Sequence, residues 1–138
     1  MRILKEYINK ILKDTLNEDK YSNPEYRRLM HIFNVPIDII WEYREFDRCG
    51  ADNIKGEEYI ENLTKDIKEN GIKIPIKLQV DLGKALVVEG NHRLCIAKKL
   101  GFKTVPVQVD YGSFGAINKS KAKPINYNST MWRVFYGD

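Results

Sequence analysis

Residues 87–94 of this 138-residue chain read VVEGNHRL, and they are the most informative stretch of the sequence. An apolar run typical of a buried strand leads into Gly90 and then directly into a segment with helical spacing. Glycine permits a tight turn there and lets another group approach the backbone closely. The first turn of a helix carries free N–H groups and the positive end of the helix dipole. This corner therefore predicts an anion site, most often a phosphate site.

Polar side chains on the same turn strengthen this prediction. His92 and Arg93 add donors, and a guanidinium can hold two phosphate oxygens at once. Glu89, at the strand end, could hold a metal ion, a ribose hydroxyl or a substrate proton. The residues alone equally allow a structural role, in which Asn91 caps the helix, His92 and Arg93 face solvent, and Glu89 offsets the charge of Arg93.

The segments around this turn predict a small α/β (α+β) fold with a mixed sheet, because short strands alternate with helices. Gly71 and Gly101 are typical helix stops. The predicted order is a helix at 57–70, a strand at 74–80, a turn at 81–84, a strand at 85–88, a helix at 91–100 and a strand at 104–109.

The sequence before residue 57 predicts further helices and one more strand. Asn23-Pro24-Glu25 is a favourable helix start, with a capping amide, a proline in the first turn and an acid at the positive end of the dipole. In that helix, the side chains expected to point inward are those of Tyr26, Leu29, Met30 and Phe33. The other predictions are an amphipathic helix over 1–13, a polar connection over 14–22, a strand over 34–43 that ends near Trp41, and a loop over 44–56.

The chain divides into a helical extension (1–33), an α/β core (34–110) and a basic tail (111–138) that is expected to pack on the core. The tail holds four Lys or Arg residues and one acid, a net charge of 4 − 1 = +3. A basic tail can bind DNA or another polyanion, although a solvated tail is the simpler interpretation. Trp132, Val134 and Phe135 are expected to dock on the core or on a partner.

Composition excludes several classes of protein. The sequence is 43% hydrophobic and 30% charged, which argues against a disordered chain or a collagen-like fibre. No apolar run approaches 18 residues, so no membrane span is expected, and charges interrupt the N-terminus too often for a signal peptide. Cys49 and Cys95 have no metal-ligand spacing, which predicts reduced thiols, no zinc site and a cytoplasmic location.

Residues 57–109 resemble the ParB/sulfiredoxin superfamily, in particular its ParB-like N-terminal (ParB-like nuclease) domain. Four features occur in the family's order, and residues 35–48 resemble the family's first motif more weakly. The four are the helix ending in glycine (57–71), the G-x-x-x-P turn GIKIPI (71–76), VEGNHRL (88–94) in the place of the family's G-E-R-R and D-G-H-x-R motifs, and AKKLGFKTVPV (97–107).

This resemblance implies a nucleotide site for ATP or CTP, usually with Mg²⁺. It implies that the turn from Gly90 to Arg93, with Asn91 and His92 between them, cradles the phosphates, and that Gly71 and Pro75 shape the neighbouring loop. An acid after the first strand is catalytic or metal-linked in some members of the family. The candidate catalytic residues are accordingly Glu42, Glu45, Glu89 and His92, and the candidate metal ligands are Glu42 and Glu89.

Two departures narrow the expected function. Asn91 stands where sulfiredoxins have their reactive cysteine, and an amide cannot attack a phosphoryl group, so sulfiredoxin activity is not expected. Cys95, one turn further on, is predicted to be a core residue. Only 29 residues follow Val109, which does not fit a partitioning clamp.

Two functions remain open. The first is a nucleotide-dependent enzyme that catalyses NTP hydrolysis, phosphotransfer or nuclease-type cleavage. The alternative is a non-catalytic DNA- or protein-binding regulatory module, in a phage or mobile-element setting.

Overall fold

A computed structural model describes residues 18–45 and 56–126, and within them five strands form one sheet in the order β1-β4-β2-β3-β5. β2 and β4 are parallel, while the other neighbouring strands are antiparallel, so the predicted mixed sheet is confirmed. The strands are β1 (Ile32–Pro36), β2 (Ile76–Asp81), β3 (Lys84–Glu89), β4 (Thr104–Tyr111) and β5 (Lys123–Pro124).

Apolar side chains alternate along the central strands, which explains why these segments are extended. In β4, Val105, Val107 and Val109 are buried, as the period of two along a strand requires when one face covers a core. β2 and β3 form a hairpin through Leu82 and Gly83, which have φ values of 50° and 74°. A two-residue hairpin turn with positive φ at both central positions matches the right-handed twist of its strands.

Five α-helices lie in the same described residues: α1 (Pro24–Leu29), α2 (Ile37–Ile40), α3 (Gly56–Asn70), α4 (Asn91–Lys99) and α5 (Ala116–Lys121). α3 packs against α4, and both agree closely with the predicted helices. Gly71 ends α3 with a φ of 73°, and its N–H donates to the carbonyl of Ile67 at 2.8 Å. None of the helices in these residues is long and apolar enough to cross a membrane.

The predicted strand over 34–43 is wrong in most of its length. β1 ends at Pro36, and the chain then forms α2 and a 3₁₀ turn, Trp41–Tyr43. Ile37, Ile40 and Tyr43 are spaced three residues apart and are each at most 2% exposed, so helical turns bury all of them on one side. An extended chain would place Ile37 and Ile40 on opposite faces, and burial therefore overrides the β-branched composition.

The helix that begins after Asn23 is shorter than predicted. The side-chain oxygen of Asn23 accepts hydrogen bonds from the N–H groups of Glu25 and Tyr26, which confirms the cap. Only Tyr26 of the expected inward residues is buried in this helix. Leu29 and Met30 are exposed, and Phe33 lies in β1, because His31 adopts a φ of 55° and turns the chain into that strand.

Two segments outside residues 56–111 contain elements that the sequence did not indicate. Residues Glu18–Ser22, predicted as part of a polar connection, form a 3₁₀ turn. Beyond β4, the chain forms α5 and β5, and Ile125 is buried with its N–H donating to the carbonyl of Gly83 at 2.7 Å. The predicted helix over 1–13 and the aromatic residues Trp132 and Phe135, with Val134, lie outside the described residues.

Cys95 is buried in α4, as predicted, but it is not a free thiol. It is 6% exposed and takes part in a disulfide bond, so the expectation of reduced thiols is wrong at this position. The other cysteine of the sequence, Cys49, lies outside the described residues.

Candidate functional site

The turn between β3 and α4 has the geometry that the sequence predicts. Gly90 has a φ of 95° and precedes the first residue of α4, with no side chain capping the helix. The first helical hydrogen bond runs from the N–H of Leu94 to the carbonyl of Gly90, at 2.9 Å. Among the described residues, the N–H groups of Asn91, His92 and Arg93 have no acceptor. They are therefore available to an anion.

Arg93 folds back over Gly90. A Cβ at position 90 would lie 3.1 Å from Nη2 and 3.3 Å from Nε of Arg93, and 3.2 Å from the Cα of Ile76. The guanidinium thus lies directly against the glycine, in a space that any side chain at position 90 would fill. Glycine is required here both by the positive φ and by this close approach.

The guanidinium of Arg93 is partly buried and has no hydrogen bond or ion pair with any described residue. Burial lowers the pKa of Arg93 from its usual value, and the neighbouring Tyr59, Glu89 and Tyr21 oppose that shift. A guanidinium stays protonated even so. Since a partly desolvated cation without a hydrogen-bonded anion is costly, the site favours an anionic ligand.

A cleft of about 370 Å³ lies in front of this turn. One wall is α3, the second is the connection from α3 to β2, and the third is the turn itself. We call it the phosphate cleft, and its lining residues are Tyr59, Leu63, Asp66 and Ile67 of α3, Gly71, Ile72, Lys73 and Ile74 of the connection, and residues 89–93 of the turn.

His92 and Glu89 both line the phosphate cleft. The ring of His92 packs edge-on against Tyr59, with centroids 6.2 Å apart and an interplanar angle of 79°. Glu89 is 63% exposed in its side chain, and its Oε2 lies 3.8 Å from Nζ of Lys77 on the paired strand. An exposed ion pair at this distance is weak, so the carboxylate remains able to exchange partners.

The side chain of Asn91 is hydrogen-bonded to groups outside the cleft. Its Oδ1 accepts a hydrogen bond from the N–H of Glu45 at 3.2 Å, and its Nδ2 donates to the carbonyl of Val87 at 3.3 Å. Asn91 therefore holds residue 45 against β3 and does not cap α4. Of the groups on this residue, the main-chain N–H is the one left for a ligand.

Glu42 and Glu45 do not line the phosphate cleft. Glu45 accepts a hydrogen bond from Nζ of Lys121 at 2.7 Å and is 18% exposed, so it anchors α5. Glu42 is exposed beside Tyr43. Burial of Tyr43 is the main reason why its pKa is raised to about 12, and the charge of Glu42 and a hydrogen bond to Glu42 add to this shift. The helical course of residues 37–43 explains why Glu42 lies outside the cleft, because the turn that buries Tyr43 leaves Glu42 exposed to solvent.

Of the two remaining predicted site residues, one lines the cleft and the other does not. Gly71 lines the cleft, whereas Pro75 is buried just before β2 and does not line it. Seven lining residues were not among the predicted site residues, and Tyr59 and Lys73 are two of them with polar groups that could reach a ligand, from α3 and from the connection. Tyr59 has the spacing of an apolar helix face, which gives no signal for a ligand site, whereas Lys73 lies inside the G-x-x-x-P turn, which was the available signal.

The described residues contain no group of three or more His, Cys, Asp or Glu side chains that could hold a metal ion. The carboxylates that line the phosphate cleft are Asp66 and Glu89, and Asp66 accepts a hydrogen bond from Asn70 at 2.8 Å. Magnesium usually binds one or two carboxylates together with substrate phosphates. Glu89 fits that partial role, whereas Glu42, the other candidate metal ligand, does not line the cleft.

The sequence matches no protein-family model and none of the curated proteins. Among solved structures, sulfiredoxin from Arabidopsis thaliana matches with a TM-score of 0.43 and 22% identity, over 59% of this chain and 85% of that one. C-terminally truncated ParB from Caulobacter crescentus, complexed with CTP-gamma-S, matches with a TM-score of 0.46 and 25% identity, over 65% of this chain. A Pnob8-like ParB-N domain matches with a TM-score of 0.46 and 24% identity, over 64% of this chain.

The chain spans 49% of the Caulobacter ParB chain and 32% of the Pnob8-like chain, so it covers only part of each. In fold, the chain is similar to sulfiredoxin and to the ParB N-domain, the two groups that its sequence resembles.

Proposed function

We propose that the phosphate cleft binds a nucleoside triphosphate, ATP or CTP, with its phosphates at the turn from Gly90 to Arg93. The observation that carries this proposal is the guanidinium of Arg93, which lies partly buried against Gly90 and has no hydrogen bond or ion pair with any described residue. Three free N–H groups of α4 are next to it in sequence. Together they offer hydrogen bonds and positive charge to a polyanion.

The phosphates would be shared between the main chain and two cations. The N–H groups of residues 91–93 bind oxygens at the positive end of the α4 dipole. Arg93 binds two oxygens of one phosphate, and Lys73, exposed on the connection from α3 to β2, contributes a point charge. The side chain of Asn91 takes no part, because both of its polar atoms are engaged elsewhere.

The chemistry that fits this site is attack of water or a substrate hydroxyl on the terminal phosphorus, which breaks the bond from that phosphorus to the bridging oxygen and releases the nucleoside diphosphate. Glu89 is the carboxylate that could accept the proton of the attacking group, and His92 could donate a hydrogen bond to the charge that develops on the phosphoryl oxygens. Mg²⁺, when bound through Glu89 and the phosphates, would neutralise part of the phosphate charge. Glu42 and Glu45 are not assigned catalytic roles, because they lie outside the cleft.

Calorimetric titration of the protein with ATP and with CTP, each with Mg²⁺, tests the proposal. Removal of a charge-assisted contact typically costs about 1.5–3 kcal/mol, so Arg93→Ala should weaken binding roughly tenfold to a hundredfold. Arg28→Ala is the matched control, since it removes the same charge from an exposed position in α1 and should leave the affinity within about twofold.

A failure of the wild-type protein to bind either nucleotide would contradict the proposal. Equal losses in the Arg93 and Arg28 variants would also contradict it, because they would indicate a general effect of net charge. A companion assay of phosphate release, on wild type and Glu89→Gln, separates turnover from binding. We expect Glu89→Gln to bind nucleotide and to release phosphate at least about tenfold more slowly.

A further inference from the structure

We propose that a second cleft, formed by the segment before β1, holds the base of the nucleotide whose phosphates occupy the phosphate cleft. This base cleft has a volume of about 310 Å³ and includes Tyr21, Arg27, Asn34 and Asn70 in its lining. The inference rests on the proposed function, because it assigns a binding place to the remainder of the same ligand.

The two clefts adjoin each other. Ile72 and Lys73, in the connection between α3 and β2, line both of them. Tyr21 of the base cleft is also near enough to Arg93 to affect its pKa. A ligand with its phosphates at the turn can therefore extend past Lys73 into the base cleft without leaving the protein surface.

Tyr21 offers a flat aromatic surface that is held in place. Its ring packs edge-on against Tyr26, with centroids 5.7 Å apart, and Nζ of Lys20 lies 4.8 Å from its centroid. Tyr26 is buried, so this arrangement fixes the position of the partly buried Tyr21 ring. Stacking on an aromatic side chain suits every base, because each base has a π-face.

Two amides supply the hydrogen bonds that a base requires. Oδ1 of Asn34 accepts from Nη2 of Arg27 at 2.7 Å, which leaves the NH₂ group of Asn34 without a partner among the described residues. Nδ2 of Asn70 donates to Asp66 at 2.8 Å, which leaves the carbonyl oxygen of Asn70 similarly available. The base cleft thus offers one donor and one acceptor. Cytosine and adenine each present an amino donor beside a ring-nitrogen acceptor, which is the complementary pair.

Calorimetry with inorganic tripolyphosphate, ATP and CTP tests this inference separately from the phosphate site. In the wild type, the preferred nucleotide should bind about tenfold or more tightly than tripolyphosphate, since stacking of one base is worth about that factor. Tyr21→Leu should abolish this advantage and leave tripolyphosphate affinity within about twofold. Tyr111→Leu is the matched control, because Tyr111 is an exposed tyrosine on neither cleft.

A second pair of variants guards against misfolding of the Tyr21 variant. Asn70→Ala changes an exposed residue and should weaken nucleotide binding several-fold while sparing tripolyphosphate, whereas Asn62→Ala, exposed on α3, should change neither. The comparison of ATP with CTP shows which base is taken.

The outcomes distinguish this inference from the proposed function. Equal affinity of the wild type for tripolyphosphate and nucleotides, or equal losses for both ligands in Tyr21→Leu, would overturn the base cleft and leave the phosphate site standing. Tyr21-dependent nucleotide binding without tripolyphosphate binding would support the base cleft and contradict the phosphate site. Absence of all binding would overturn both.

Discussion

At the scale of single residues, Gly90 and Arg93 depend on each other. The guanidinium can fold back against the main chain because position 90 has no Cβ, and the left-handed φ of 95° turns the chain from β3 into α4 within one residue. The arginine then lies beside the free N–H groups of its own helix. The proposed anion site is thus built mainly from four consecutive residues of sequence, and the more distant Lys73 adds one further charge.

Gly90→Ala should damage both stability and binding. A Cβ would lie 3.2 Å from the backbone Cα of Ile76, which cannot easily move, and the positive φ would be strained. We expect a loss of about 2 kcal/mol or more in the free energy of unfolding, measured by urea denaturation. Gly115→Ala, with a φ of −65° and no atom within 4 Å of the added Cβ, should change stability by no more than about 0.5 kcal/mol. Equal effects of the two substitutions would contradict the described turn.

Tyr43 gives the protein a pH dependence in the alkaline range. Burial beside Glu42 raises its pKa from 10.0 to about 12, so the folded state holds the phenolic proton more tightly than the unfolded state does. The stability contributed by the neutral phenol is fully present below pH 10 and is lost as the pH rises from 10 to 12. In urea denaturation across this range, Tyr43→Phe should lose less stability than wild type. Parallel curves for the two proteins would show that Tyr43 titrates normally.

At the scale of elements, the segment 37–43 shows what a sequence pattern can miss. Its β-branched and aromatic residues are typical of a strand, yet the structure turns it into α2 and a 3₁₀ turn. The deciding factor is which side chains the rest of the fold must bury, and that depends on residues far away. By contrast, α3, α4 and the β2–β3 hairpin were predictable, because local signals such as Gly71, Gly90 and the turn at Leu82-Gly83 agree with the final packing.

Ile40→Ala tests the burial of this segment in the core. Ile40 is 0% exposed and belongs to the core, so its truncation leaves a cavity and should cost about 2–5 kcal/mol in the free energy of unfolding. Ile117→Ala is the matched control, because Ile117 is 72% exposed on α5 and should change stability by no more than about 0.5 kcal/mol. Denaturant unfolding of both variants gives the comparison. A small effect at Ile40 would contradict its place in the core.

At the scale of the whole molecule, the sequence indicated the motif that lines the cleft but not the residues that complete it. His92, Glu89 and Arg93 are local to one turn, so their proximity could be predicted. The positions of Glu42 and Glu45 could not, because they depend on how α2 packs against β1 and how the following 3₁₀ turn packs against β3. The pairing of Glu45 with Lys121 joins residues 76 positions apart, and no local pattern indicates it.

The segment before β1 gives the molecule its second cleft. Residues Glu18–Leu29 bring Tyr21 and Arg27 next to the connection that also borders the phosphate cleft. From the sequence, this segment is predicted only as a helical extension. Neither its helix start nor its aromatic residues indicate which part of the core the segment contacts. The whole molecule thus places two clefts in series, with Lys73 between them.

The most direct test of the anion site is an NMR titration of ¹⁵N-labelled protein with inorganic tripolyphosphate. If the turn binds phosphates, the largest shifts should occur in the backbone amide signals of residues 91–93 and in the side-chain Nε–H of Arg93, and they should saturate. Saturable shifts confined to the lysines of α5 and β5, or no shifts in the turn at millimolar ligand, would contradict the account.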